Sequence, residues 1–227
     1  MRRFTLEAAE WLLGQDEQLD VLACNTATSR ALDLVRERSS VPVIGVVRPG
    51  AVAAAAATRT ANVAVIATAG TVESNAYREA IVEAAGGTAV SQLACPELVP
   101  MVEAGVLDGR RAESVLRAYL EPLLAAEPRI DTLLLGCTHY PLLRPVIEGI
   151  VGPDVAVVDS AFTTALAVED LLDAVGGRAA RGAAPRHRVA TTGDPARFES
   201  IASPLFGDRL PDIEVVRIEA AGVVPLD

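Results

Sequence analysis

Residues 130–143 read IDTLLLGCTHYPLL. An apolar run leaves an acidic residue, stops at Gly136, and meets a thiol, a hydroxyl and an imidazole within three positions. Residues 19–26, LDVLACNT, follow the same plan: Asp20, an apolar run, Cys24, then Asn25 and Thr26 ahead of a helical pattern. Each apolar run is short and bounded by polar residues, as in a strand covered on both faces. The two cysteines lie 137 − 24 = 113 positions apart, which suggests two related halves. In parallel α/β sheets ligands bind beyond the carboxyl ends of strands, and both thiols sit at such ends.

Outward from these two segments, β-branched runs predict strands at 20–23, 41–46, 63–67, 88–93, 132–135, 155–158, 187–191 and 214–218. Helical periodicity fills 6–14, 28–38, 51–60, 72–85, 110–125, 142–150, 163–175 and 195–202. This alternation predicts an α/β fold of two pseudo-symmetric domains with largely parallel sheets. A cleft between the halves would let Cys24 and Cys137 face each other. A third polar strand end, ATAGT at 67–71, predicts a turn at Gly70 and a helix capped by Thr71. The N-terminus of such a helix suits a small carboxylate.

The 227-residue chain is 51% hydrophobic and 22% charged, enough for one large domain or two small ones. Its net charge of −10, without a basic run, argues against nucleic acid or an anionic membrane as partner. MRRFTL at the start has two arginines, as in an export signal, but Glu7 and Glu10 fall where that signal needs an apolar segment. No uncharged apolar run reaches the roughly 18 residues of a membrane span. Three widely spaced cysteines do not make a disulfide framework, and a reducing cytoplasm keeps them as thiols. The sequence holds no lysine, which excludes a pyridoxal phosphate Schiff base. Neither a complete GxGxxG nor a P-loop occurs. Whatever chemistry occurs is therefore expected to use protein side chains, a metal, or nothing.

Polar neighbours set Cys24 and Cys137 apart from Cys95, which reads as a buried structural residue. A free thiol has a pKa of about 8.5, and a nearby histidine or helix N-terminus can bring it toward neutrality. Three chemistries compete. Cys24, Cys95, Cys137 and His139 could ligate zinc, but the paired spacings of zinc sites are missing, so no metal is expected. Cys137 with His139 as its base could make a thiol hydrolase, which leaves the cluster at Cys24 unexplained. A two-base racemase uses both thiols, one on each face of a tetrahedral carbon.

Taken in order, ACNTAT, PVIGVVRPGA, ATAGTVES, ACPELVPMVEAG, LLLGCTHYPLL, VVDSA and TTGDPARF closely resemble bacterial glutamate racemase over nearly the whole chain. The resemblance implies a cofactor-independent enzyme that interconverts L- and D-glutamate and supplies D-glutamate for peptidoglycan, cytoplasmic and homodimeric. It implies a second domain over residues 49–157 and a first domain combining 1–48 with 158–227. Cys24 matches the thiol acting on the D-enantiomer and Cys137 the thiol acting on the L-enantiomer, with His139 assisting Cys137. Glu103 matches an acidic residue near that second thiol. Asn25, Thr26, Thr68, Thr71 and Thr138 match positions that hold the amine and carboxylates of the substrate.

Family members open with a strand, a DSGVGG-type loop, an FGDT-type segment and a PYG turn. This chain opens at RRFTLEAAEWLL, which corresponds to family sequence after all of them. The expectation is a first domain without its leading strands and a Cys24 without the aspartate that assists it, so that turnover from D-glutamate suffers most. The start codon would then be misplaced or the coding region shortened. A racemase-like protein acting only through binding is the non-catalytic alternative.

Overall fold

The computed structural model describes residues 1–180, 182, 184–207 and 210–218. Its centre is a four-stranded sheet. Strand β3 (Asn62–Ala67) pairs in parallel with β4 (Ala89–Ala94) on one side and β5 (Thr132–Gly136) on the other, and β5 pairs with β6 (Ala156–Asp159). Every residue of β3 and β5 is buried, which is why NVAVIA and TLLLG are nearly continuous apolar runs instead of alternating ones. Two further parallel pairs flank this sheet in sequence: β1 (Asp20–Leu22) with β2 (Val43–Gly45), and β7 (Val189–Thr191) with β8 (Ile213–Val215). All eight expected strands are present, and every described pairing is parallel.

Two apolar layers clamp the central sheet. On one face, helix α7 (Gly109–Ala126) buries Ala112, Leu116 and Leu120, four residues apart, beside Leu133 and Leu135. Its outer side carries Arg117, which bonds Glu113 and Glu121 one turn away in each direction. On the other face, α3 (Val47–Ala57) presents Val47, Ala51 and Ala54 to Val63, Val65, Ala67 and Leu134. A separate small core joins α1 (Arg2–Leu13) to α2 (Asn25–Arg38) and β2 through Leu6, Ala9, Val35 and Val43. No described helix is long and apolar enough to cross a membrane.

Three local expectations change. The helix expected over 72–85 is two helices, α4 (Ala69–Glu73) and α5 (Ala76–Ala84). Ser74 donates its hydroxyl to the Thr71 carbonyl and accepts from the Ala76 amide, and Asn75 takes a left-handed φ of 57°. Short polar side chains that bond nearby backbone break a helix in this way. Thr71 accordingly does not cap a helix; Thr68 is the cap residue and Thr71 lies buried inside α4. Helix α6 (Leu98–Glu103) falls where no element was expected. Pro100 stands in its first turn, where no intrahelical amide bond is lost.

The two matching acidic residues meet different surroundings. Asp131 accepts the Thr58 hydroxyl (2.6 Å) and the amides of Arg59 (2.7 Å) and Thr60 (2.9 Å), tying the loop before β3 to the start of β5. Burial alone would raise its pKa, but hydrogen bonds from Thr58, Arg59, Thr60 and Thr132 outweigh this and bring it down to about 2. Asp20 is buried with Oδ2 unpartnered; burial, then the neighbouring Glu17 carboxylate, push its pKa up. Asp131→Ala should therefore cost about 1–3 kcal/mol in urea unfolding at pH 7 by stranding those donors. The Asp131 contribution is complete above the unfolded-state pKa near 4 and fades as pH falls toward about 2. Asp20→Asn should raise the unfolding midpoint at pH 7; a lowered midpoint there would contradict this account.

Candidate functional site

Parallel strands end on one side, so their following residues gather along one rim. Strand β1 delivers Cys24, the cap residue of α2, and β5 delivers Cys137 directly after Gly136. Register pairs Ala67 with Gly136, so Thr68 and Cys137 leave neighbouring strands at the same level. Cys24 is exposed and Cys137 is buried. Burial raises the Cys137 pKa; amides of His139 and Tyr140 pull it back, and a charge on Cys24 raises it further. The two thiols thus lie within electrostatic reach of each other although they are 113 positions apart (137 − 24).

His139 lies two residues beyond Cys137, with Nδ1 3.8 Å from Sγ. Its Nε2 stands 3.4 Å from Glu103 Oε1, at the end of α6, and the other Glu103 oxygen accepts from Arg197 at 3.1 Å. Arg197 belongs to α10 (Pro195–Phe206), so the line from Cys137 through His139 and Glu103 ends on an element far along the chain. Arg197 is 71% exposed and Glu103 31%, so solvent screens the ion pair and its worth is about 0–1 kcal/mol. Its effect is to orient Glu103.

Beside the thiols three hydroxyls close a triangle. Thr26 Oγ1 is 2.8 Å from Thr68 Oγ1 and 3.1 Å from Thr71 Oγ1, and the last two are 3.1 Å apart. Hydroxyls rotate freely between accepting and donating, so the group can turn its protons toward an anion. Arg30 straps the same two elements together, giving Nε to the Gly70 carbonyl and an Nη to Glu73. Asn25, 2% exposed, accepts the Tyr77 hydroxyl on Oδ1 at 2.5 Å, while its Nδ2 has no partner among the described residues.

Of the nine residues singled out in the sequence, Cys137, His139 and Glu103 form one line, Thr26, Thr68 and Thr71 form another group, and Cys24 and Asn25 stand at the start of α2, next in sequence to Thr26. Thr138 is exposed and makes no side-chain hydrogen bond among the described residues. Cys95 is fully buried against the Leu93 carbonyl, its pKa pushed up to about 12 by burial. Among the described residues no group of three or more His, Cys, Asp or Glu side chains could hold a metal ion. Sequence reasoning missed Tyr77, Arg30 and Arg197. Arg197 stands inside the quoted TTGDPARF segment, whereas Tyr77 sits in an ordinary amphipathic helix and carries no local signal.

Paired cysteines at parallel strand ends define a class, and the match to known families agrees with it. Residues 5–169 match the Asp/Glu/Hydantoin racemase model, and the chain belongs to that family. Within it, the chain is most similar to glutamate racemases. It is 45% identical to that of Exiguobacterium sibiricum over 203 residues, covering 89% of this chain and 74% of the relative. Among solved structures, a glutamate racemase isoform from Bacillus anthracis superposes with a TM-score of 0.87 at 37% identity, covering 96% of this chain and 80% of that one. The Francisella tularensis glutamate racemase, solved with D-glutamate, gives 0.87 at 29% identity over 96% and 81%.

Accessibility and ionisation order the three thiols. At pH 7.5 iodoacetamide should modify Cys24 first and Cys137 more slowly, and leave Cys95 untouched until the protein is unfolded, as read by peptide mass spectrometry. Modification of Cys137 should keep accelerating at alkaline pH after that of Cys24 has levelled off, because burial raises the Cys137 pKa above the ordinary thiol value. Cys95 reacting alongside Cys24 in the native protein would show the burial to be misassigned.

Proposed function

We propose that this chain interconverts L- and D-glutamate without a cofactor, Cys24 and Cys137 serving as the two acid–base groups. The single observation that carries the reading is the placing of these thiols at the ends of β1 and β5, on a rim that also presents the threonine triangle. Racemisation needs one thiolate and one thiol at the same moment.

In the direction from L-glutamate, the Cys137 thiolate takes the Cα proton, and the electron pair of that C–H bond moves into the carboxylate. The Cys24 thiol then gives its proton to the opposite face of Cα. The product is D-glutamate, with Cys137 now a thiol and Cys24 a thiolate. The reverse direction exchanges these roles, and His139, held by Glu103, assists proton traffic at Cys137. Thr26, Thr68, Thr71, Asn25 and Thr138 hold the amine and carboxylates of the substrate. Donors on the α-carboxylate stabilise the charge that develops there as the C–H bond breaks.

The site is proposed to lie between two lobes, residues 49–157 and residues 1–48 with 158–227, of which 219–227 lie outside the described residues. A cytoplasmic homodimer that feeds D-glutamate to peptidoglycan synthesis fits the family resemblance.

Turnover in deuterium oxide tests the mechanism. Each enantiomer should gain one solvent deuteron at Cα on inversion, and Cys24→Ser and Cys137→Ser should each lower kcat by at least about 100-fold. A Cys24→Ser enzyme with unchanged turnover would favour the thiol hydrolase instead, and binding of D-glutamate without any exchange would favour a non-catalytic role. His139→Gln should slow exchange from L-glutamate more than exchange from D-glutamate.

A further inference from the structure

Tyr77 contributes nothing to the mechanism just described, yet it is fully buried with its hydroxyl against a residue of the site. The ring stands on α5 and packs in the cluster of Val47, Ala51, Val65 and Leu134. Two glycines make room for it. A Cβ on Gly50 would come within 3.0 Å of the Tyr77 hydroxyl, and one on Gly136 within 3.0 Å of ring atom Cε2. Both distances are tighter than most packed contacts, so the ring fills its slot closely.

The polarity of the contact can be worked out. A phenol donates one proton and accepts on its oxygen. A carbonyl oxygen can only accept, so in the contact at 2.5 Å the phenol gives its proton to Asn25 Oδ1. Burial holds the phenol far from ionisation, so the proton stays. With Oδ1 occupied as an acceptor, the amide has one orientation, and Nδ2 faces away from Tyr77. That nitrogen is buried without a partner among the described residues, on a residue flanked by Cys24 and by Thr26 of the hydroxyl triangle. A buried amide donor left unpaired is unfavourable unless a ligand completes it. An ammonium group has only protons to offer and cannot do so; a carboxylate oxygen can.

We propose that Tyr77 is a positioning residue that locks the Asn25 amide with its NH₂ toward the thiols, as the donor for a carboxylate oxygen of the amino-acid substrate. The inference rests on the racemase reading of this site and adds to it a polarity: Asn25 serves a carboxylate and not the amine. Sequence gives no hint of this, because the two residues are 52 positions apart and meet through a hydrogen bond alone.

The test is a double-mutant cycle on the full chain, with D- and L-glutamate assayed separately. Tyr77→Phe keeps the ring in its slot and removes only the hydroxyl. It should lower kcat/KM about 10- to 100-fold in both directions, the scale of a misplaced binding group. In an Asn25→Ala background the same change should have less than about a 2-fold effect, because the group it positions is gone. Asn25→Asp should fall below Asn25→Ala, since a second carboxylate would face that of the substrate. An equal Tyr77→Phe penalty in both backgrounds, or Asn25→Asp activity at the wild-type level, overturns the proposal. If the wild-type chain does not turn glutamate over, the racemase reading fails, and the positioning claim is decided by NMR of asparagine-¹⁵N-labelled protein. One sharp Asn25 side-chain NH₂ pair that broadens or doubles in Tyr77→Phe supports the lock; an unchanged pair overturns it.

Discussion

The parallel pairing of β3 with β5 is the constraint on which the rest depends. Both strands are buried on both faces, so neither can slip by one residue without turning its side chains out of register with the layers above and below. That fixed register sets Ala67 against Gly136, and through them the levels at which Thr68 and Cys137 leave the sheet. Asp131 reinforces it from the opposite end by binding the loop that feeds β3. Cys137 and Thr68 follow this pair directly, His139 stands two residues after Cys137, and Thr26 joins by one hydrogen bond to Thr68.

Electrostatics then separates two thiols that the sequence presents alike. Cys24 caps a helix and is exposed, while Cys137 is buried beside two backbone amides and an imidazole. Burial raises the Cys137 pKa, and the amides of His139 and Tyr140 pull it back. The groups around them differ in kind as well. The Glu103–Arg197 pair is open to solvent and orients by weak attraction, whereas the Tyr77–Asn25 bond is buried and orients by directionality.

Much of the fold could be read from the chain before any coordinates. Eight strands follow from short apolar runs, because a parallel sheet covered on both faces leaves a strong compositional trace. Where reading failed, the cause was local backbone chemistry: Ser74 and Asn75 broke a helix that apolar periodicity ran together. Thr71 was expected to cap a helix and instead turns inward to Thr26 and Thr68. The candidate site was legible where polar residues sit next to a cysteine, as with Asn25, Thr26 and His139. It was illegible where the partner is a core aromatic or a surface arginine, types that occur everywhere for reasons of packing and solvation.

The amino-acid sequence by itself determined the fold class, the absence of a lysine to hold a cofactor as a Schiff base, and the placing of two thiols at equivalent strand ends. Those properties depend on residue type and short-range spacing, which a linear string records in full. Only the tertiary structure decided which thiol is buried, which hydroxyls share protons, and which way the Asn25 amide points. Each of these depends on distances of a few ångströms between residues tens of positions apart, and on desolvation that no single segment carries. Chain order says nothing about either until the sheet has closed.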